Sequence, residues 1–137
     1  MKVDNKVHHS AEQWEALAKN PGHGPVCMIN LFKFKAKAEY PDGRDSQLTG
    51  IEAYQIYSNK TREMVEEAGG KILHTSLIEG LVVGEVEDLW DVAAIVEYPS
   101  IEVFMRMVDS DEWKENTIHK EAGLEGQLNI FSKIPQT

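Results

Sequence analysis

Five polar side chains stand where the chain would otherwise continue an apolar pattern or run through a loop: Asn30, Arg44, Tyr54, Tyr57 and His119. A histidine near its free pKa exchanges a proton at neutral pH, which makes His119 the candidate general acid/base. Asn30 interrupts the apolar run VCMINLFKF (26–34), where an unpaired amide costs about 1 to 3 kcal/mol, so it must have partners or face a polar cavity. In a cavity that amide, joined by the hydroxyl of Tyr54 or Tyr57, would hold a substrate oxygen and steady a developing oxyanion. Asn30 and His119 are therefore the catalytic candidates. Tyr54, Tyr57 and Arg44 are the substrate-binding ones, with Arg44 bringing a charge to an acidic ligand. Each has a plainer explanation: Asn30 bonding a neighbouring backbone, the tyrosines packing with their tips in solvent, Arg44 pairing with Asp42 or Asp45, and His119 lying on the surface.

The elements that must position these residues are legible from periodicity. The stretch WDVAAIVEYPSIEVFMRMVDSDEWKENTIHKEAGL (90–124) is the organising segment: a strand apolar at both parities, then a helix capped by Pro99-Ser100, then a second helix restarted by Ser110. The run 26–34 is likewise apolar on both faces and reads as the first strand. Residues 35–48 form a long loop turning at Pro41-Asp42-Gly43, a length common in lids and binding segments. Thr49 and Glu52 form a capping box. The helix they open places Ile51, Tyr54, Tyr57, Ser58, Thr61, Met64, Val65 and Ala68 on one half of the wheel, and Gly69-Gly70 ends it. A long strand is expected over 71–86, with Gly80 and Gly84 as bends, and a last strand over 127–134. Ahead of this core, Ser10 and Gln13 cap a short helix that lays Trp14 on the main domain and stops at Asn20-Pro21-Gly22. The expected division is an appendage over 1–24 and one domain over 25–137.

Composition removes several functions. Twenty-three acids against 14 bases give a net charge of -9, which argues against nucleic acid and against an anionic membrane surface. Neither a signal peptide nor a membrane span is expected, and the single Cys27 in an apolar strand suits a reducing, cytoplasmic setting. His8, His9 and His23 show no repeated ligand spacing, so no metal is expected, and without a glycine-rich phosphate loop neither is a nucleotide cofactor. Cys27 is expected to be buried, and no nucleophilic triad can be inferred.

Without the leading helix the order is strand, helix, strand, strand, helix, strand, an α+β ferredoxin-like βαββαβ fold. Its four-stranded antiparallel sheet carries helices on one face. The other face, apolar and uncovered, calls for a second copy. The strand MINLFKF, the loop AEYPDGR with LTGIEAY, then AGG, VEYPS and IHKEAGLE together resemble the domain-of-unknown-function family 1330, a branch of the dimeric α/β-barrel superfamily. The likeness extends from about residue 26 to 134. It implies a homodimer with a cavity between sheet and helices in each subunit, and it implies no reaction. Asn30, Arg44, Tyr54, Tyr57 and His119 match the recurring polar positions of that family. Distant relatives include cofactor-free monooxygenases, isomerases of small cyclic acids and haem-degrading enzymes, but Trp90, Trp113 and His119 do not reproduce the haem-degrading pattern that Asn30 suggests.

Two functions compete, with a third in reserve. One is a cofactor-free enzyme performing acid/base chemistry on a small cyclic or aromatic substrate, and the other is a non-catalytic dimer that binds or senses such a molecule. In the third, the dimer is purely structural and its cavity is filled.

Overall fold

The computed structural model describes residues 6–20 and 24–135. In chain order it contains α1 (Ala11–Ala18), β1 (Val26–Phe34), α2 (Gly50–Glu67), β2 (Lys71–Leu77), β3 (Val92–Tyr98), α3 (Ile101–Val108), α4 (Asp111–Gly123) and β4 (Leu124–Lys133). The strands form one antiparallel sheet in the order β2-β3-β1-β4, the ferredoxin-like α+β arrangement. Parity along β1 decides which face is covered: Val26, Met28, Asn30 and Phe32 are buried, while Cys27, Ile29, Leu31 and Lys33 between them are half-buried. The buried parity meets Tyr57, Met64 and Val65 of α2, Ile101 and Phe104 of α3, and Trp113 of α4 in the main core.

The caps read from the sequence are present. Thr49 Oγ1 accepts from the Glu52 amide while Glu52 returns the bond to the Thr49 amide, and Ser10 and Gln13 do the same for α1. Ser100 and Ser110 cap α3 and α4 by accepting from the amides of Val103 and Trp113. The start of α2 and the end of α4 touch backbone to backbone at Gly50 and Gly123, where a Cβ on either would collide with the other's carbonyl oxygen. Only glycine allows that crossing. α1 lies against α3, with the Trp14 ring stacked 4.2 Å from His9 and tilted 6.0 Å from Phe104. The stop at Pro21-Gly22, and His23, lie outside the described residues.

Five expectations need correction. Cys27, expected to be buried, is half-buried, because its parity of β1 faces away from the helices. β2 ends at Leu77, not at residue 86. Hydrogen bonds from the Ile78 amide to the Asp91 carbonyl and from the Asp91 amide to the Phe32 carbonyl close the neck of a loop instead. Gly84 turns through φ +94 at its far end, and Val82 and Val83 are 100% and 88% exposed. Ile51, placed on the buried half of α2, is 57% exposed. The loop after β1 is not a free lid: the Lys35 and Glu39 amides donate to the carbonyls of Gly123 and Ala122, and Ala38 and Tyr40 are buried against Ala53 and Ala122. Finally, β4 begins at Leu124, directly after α4. Among the described residues no helix is long and apolar enough to cross a membrane.

Candidate functional site

The sheet's covered face and the helices do not close fully on each other. They leave a cavity of about 900 Å³ whose walls include Asn30, Phe32, Tyr54, Tyr57, Trp113 and Lys120. Its aromatic side is continuous: Phe32 and Phe34 lie 4.9 and 5.4 Å from Tyr54, Tyr54 lies 5.5 Å from Tyr57, and Tyr57 lies 5.6 Å from Trp113. Burial pushes the phenols of Tyr54, Tyr57 and Tyr98 well above their ordinary pKa, so they remain neutral hydroxyls.

Asn30 is 7% exposed and faces the helix side of the sheet. Its Nδ2 donates long bonds to the carbonyls of Met28 (3.3 Å) and Ala94 (3.4 Å), and its Oδ1 accepts from Gln127 Nε2 at 3.1 Å. Both residues of this amide pair line the cavity. Behind Tyr57, the buried Asn116 donates to the Tyr57 carbonyl at 3.0 Å and to Thr61 Oγ1 at 3.2 Å, tying α4 to α2 and fixing the aromatic wall.

The five sequence candidates divide between two places. Asn30, Tyr54 and Tyr57 line the cavity, whereas His119 and Arg44 do not. His119 Nδ1 lies 2.7 Å from the Tyr40 hydroxyl, and the Arg44 guanidinium stands 6.0 Å from the Tyr40 ring centroid. Burial, with the Arg44 charge adding to it, lowers the His119 pKa, so the ring is neutral at pH 7. Arg44 Nε donates to Asp42 Oδ2 at 2.7 Å, the local pairing foreseen as its plainer explanation. Trp113 is 9% exposed, and His119 lies about 120° around α4 from it, which turns His119 toward the loop.

Sequence reasoning passed over three cavity residues. Lys120 follows Trp113 by two helical turns, on the same stripe of α4, and that spacing was the available signal. Its Nζ lies 5.9 Å from the Tyr57 ring centroid, and loss of water around the ammonium holds its pKa down to about 8. Gln127 sits opposite Phe32 on β4 and becomes Asn30's partner only through strand pairing, which no local pattern announces. His9 lines the cavity beside Trp14, its pKa lowered by burial and by the Lys120 charge.

Residues 44–134 match the model of a family described as a domain of unknown function, DUF1330. The chain belongs to that family. The DUF1330 match begins after β1, so Asn30 lies ahead of it. Over nearly the whole chain the fold is similar to the methylated form of the protein RPA0582, with 30% identity, TM-score 0.89, and 98% of each chain covered. A second structure, described as a protein of unknown function from Rhodopseudomonas palustris, gives 28% identity and TM-score 0.88, covering 98% of this chain and 100% of that one. SnoaB, a cofactor-independent oxygenase from Streptomyces nogalater, shares the fold alone at 10% identity and TM-score 0.52, over 83% of this chain and 96% of its own. No curated protein sequence matches.

Proposed function

We propose that this DUF1330 protein binds one small cyclic or aromatic molecule in the cavity between sheet and helices, with the Asn30–Gln127 amide pair orienting a polar atom of the guest. The observation that carries the reading is a cavity of about 900 Å³ with one aromatic wall and a hydrogen-bonded amide pair set into the sheet opposite. Natural small-molecule sites have this make-up: a large apolar lining and a few placed polar groups. A thermal-stability screen with small aromatic acids, amides and lactones tests it, followed by recovery of the guest from the complex. A guest recovered unchanged supports binding. The absence of any stabilising guest, or a guest whose effect survives Asn30→Ala undiminished, overturns the reading.

Turnover by acid/base chemistry without a cofactor is the second reading, and one observation favours it. His8 and His9, not His119, bring imidazoles to the cavity lining, and the lowered pKa of His9 keeps it a neutral base at pH 7. A chemically altered guest, with conversion abolished in His9→Ala and retained in His119→Ala, would support it.

The same proposal includes a homodimer. On the sheet face away from the helices, Ile130, Ile29 and Ile95 stand in register across three strands, with Leu128, Leu31 and Ala93 beside them. Ile130 is 45% exposed, and the Leu81–Val83 arm projects apolar side chains at one end. A second copy, related by a two-fold axis, would bury both. Cys27 as a free thiol on that sheet accords with a cytoplasmic protein.

A further inference from the structure

We infer that the cavity takes the carboxylate of a small apolar organic acid and that the Lys120 ammonium is its counter-charge, an inference that rests on the small-molecule reading above and narrows it. Lys120 is half-buried on the stripe of α4 that carries Trp113, with its Nζ beside the Tyr57 ring. Among the described residues no carboxylate lies within ion-pair distance of that nitrogen, whereas Lys19, Lys33, Lys35 and Lys60 each pair with an acid. In a chain with 23 acids and 14 bases, a partly dehydrated cation without an anion is an exception. Holding such a charge costs free energy that an arriving anion would recover.

The charge of the cavity's rim points the same way. Asp109 is the single carboxylate among the described lining residues, while Arg62 and Lys114, both exposed, line it as well. Among the described lining residues positive charges thus outnumber negative ones in a chain that carries -9 overall, a balance that favours an anionic guest. Inside, Phe32, Tyr54 and Trp113 offer an apolar body its contacts, and the Tyr57 face beside Lys120 steadies the cation without neutralising it. Dehydration lowers the amine's pKa to about 8, which leaves the ammonium form predominant at pH 7, and an arriving carboxylate would raise it again.

The test uses matched pairs of phenylalkanoates and their neutral phenylalkanamides, of two to four methylene groups, titrated into the full chain by calorimetry at pH 7 and low salt. The acid of the best-fitting pair is expected to bind about tenfold or more tighter than its amide, the scale of one charge-assisted contact. Lys120→Gln should bring the acid down to the amide's affinity without changing the amide, and Lys120→Arg should keep most of the preference. In the wild-type chain the preference should also fade as pH is raised from about 7 to 9.5, while amide binding stays constant. The charged and titratable groups around Lys120 are Tyr57 on α2, His9 ahead of α1, Asp109 after α3 and Glu121 on α4; Tyr57 stays protonated throughout that range and His9 stays neutral, so the change reports the lysine. Equal binding of acid and amide, or a preference that survives Lys120→Gln or high pH, overturns the inference and leaves the cavity reading standing. Failure of every pair to bind overturns both.

Discussion

The Tyr40 hydroxyl and Nδ1 of His119 lie 2.7 Å apart, on the loop side of α4, while the next residue, Lys120, lines the cavity. One step along the helix thus separates an imidazole that belongs to the packing of the 35–49 loop from an amine that belongs to the site. His119→Ala and Tyr40→Phe are therefore expected to leave the affinity of any cavity guest within about twofold. Removing the neighbouring cation by Arg44→Ala should raise the His119 pKa toward 6.5, because Arg44 contributes to holding it down. An NMR titration of the imidazole reads the shift, and a lower pKa in the variant would contradict the placement.

Asn30 and Gln127 should behave as a unit. Asn30→Ala leaves the Gln127 amide without its acceptor in a half-buried site and is expected to cost about 1 to 3 kcal/mol in urea unfolding. Gln127→Ala should cost less, since Asn30 Nδ2 keeps its bonds to Met28 and Ala94. The double variant should fall short of the sum, and strict additivity would show that the bond contributes nothing.

Glycines offer a contrast between two places in the chain. Gly123→Ala forces a methyl against the Gly50 carbonyl oxygen and should destabilise by roughly 3 kcal/mol or more, in the range of other overpacking and backbone-strain effects. Gly80→Ala meets nothing within 4 Å and should change stability by less than about 0.5 kcal/mol. Thermal melts of the two variants decide the matter.

Lys120 gives the fold a pH signature. Its pKa is held down to about 8 in the folded chain, against 10.5 ordinarily, so between these values the unfolded chain binds more protons and stability rises with pH. The cost of holding the ammonium is fully present below pH 8, on the order of 2 kcal/mol after allowing for the side chain's partial exposure. Lys120→Gln should therefore be more stable than the parent at pH 7, with the two converging toward pH 10. Above pH 10 the raised pKa values of Tyr54, Tyr57 and Tyr98 act in the opposite sense, since the unfolded chain loses phenolic protons that the fold retains, and both proteins weaken. A gap that widens from pH 7 to 10 would contradict this account.

The proposed dimer has its own test. Ile29→Glu puts a charge at the centre of the uncovered sheet face, between Ile130 and Ile95. Sedimentation should show a dimer for the parent at micromolar concentration and a monomer for the variant. A parent that sediments as a monomer removes the second copy from the account.

The strands, helices and caps were legible because each rests on local chemistry: Ser and Thr before a helix, apolar residues at both parities, Gly-Gly after the last turn. The cavity was legible in outline through Asn30, Tyr54 and Tyr57, whose polar tips interrupt apolar faces. Lys120 was not singled out because a lysine near a helix C-terminus ordinarily serves the helix dipole. Gln127 was missed because its meaning depends on β4 pairing with β1, roughly a hundred residues apart in sequence. The extent of β2 was overestimated for a related reason: apolar Leu81, Val82 and Val83 continue a strand pattern, while the hydrogen bonds that end the strand come from Asp91 and Phe32.

The glycine crossing of α2 and α4 also has a mechanical consequence. With main chain resting on main chain at Gly50 and Gly123, that end works as a rivet, while toward the far end the links run through side chains, Asn116 with Tyr57 and Thr61 and Lys60 with Glu112. Opening beside Arg62 and Lys114 would stretch side-chain bonds rather than force two main chains apart, which makes that end the cheaper way in for a guest.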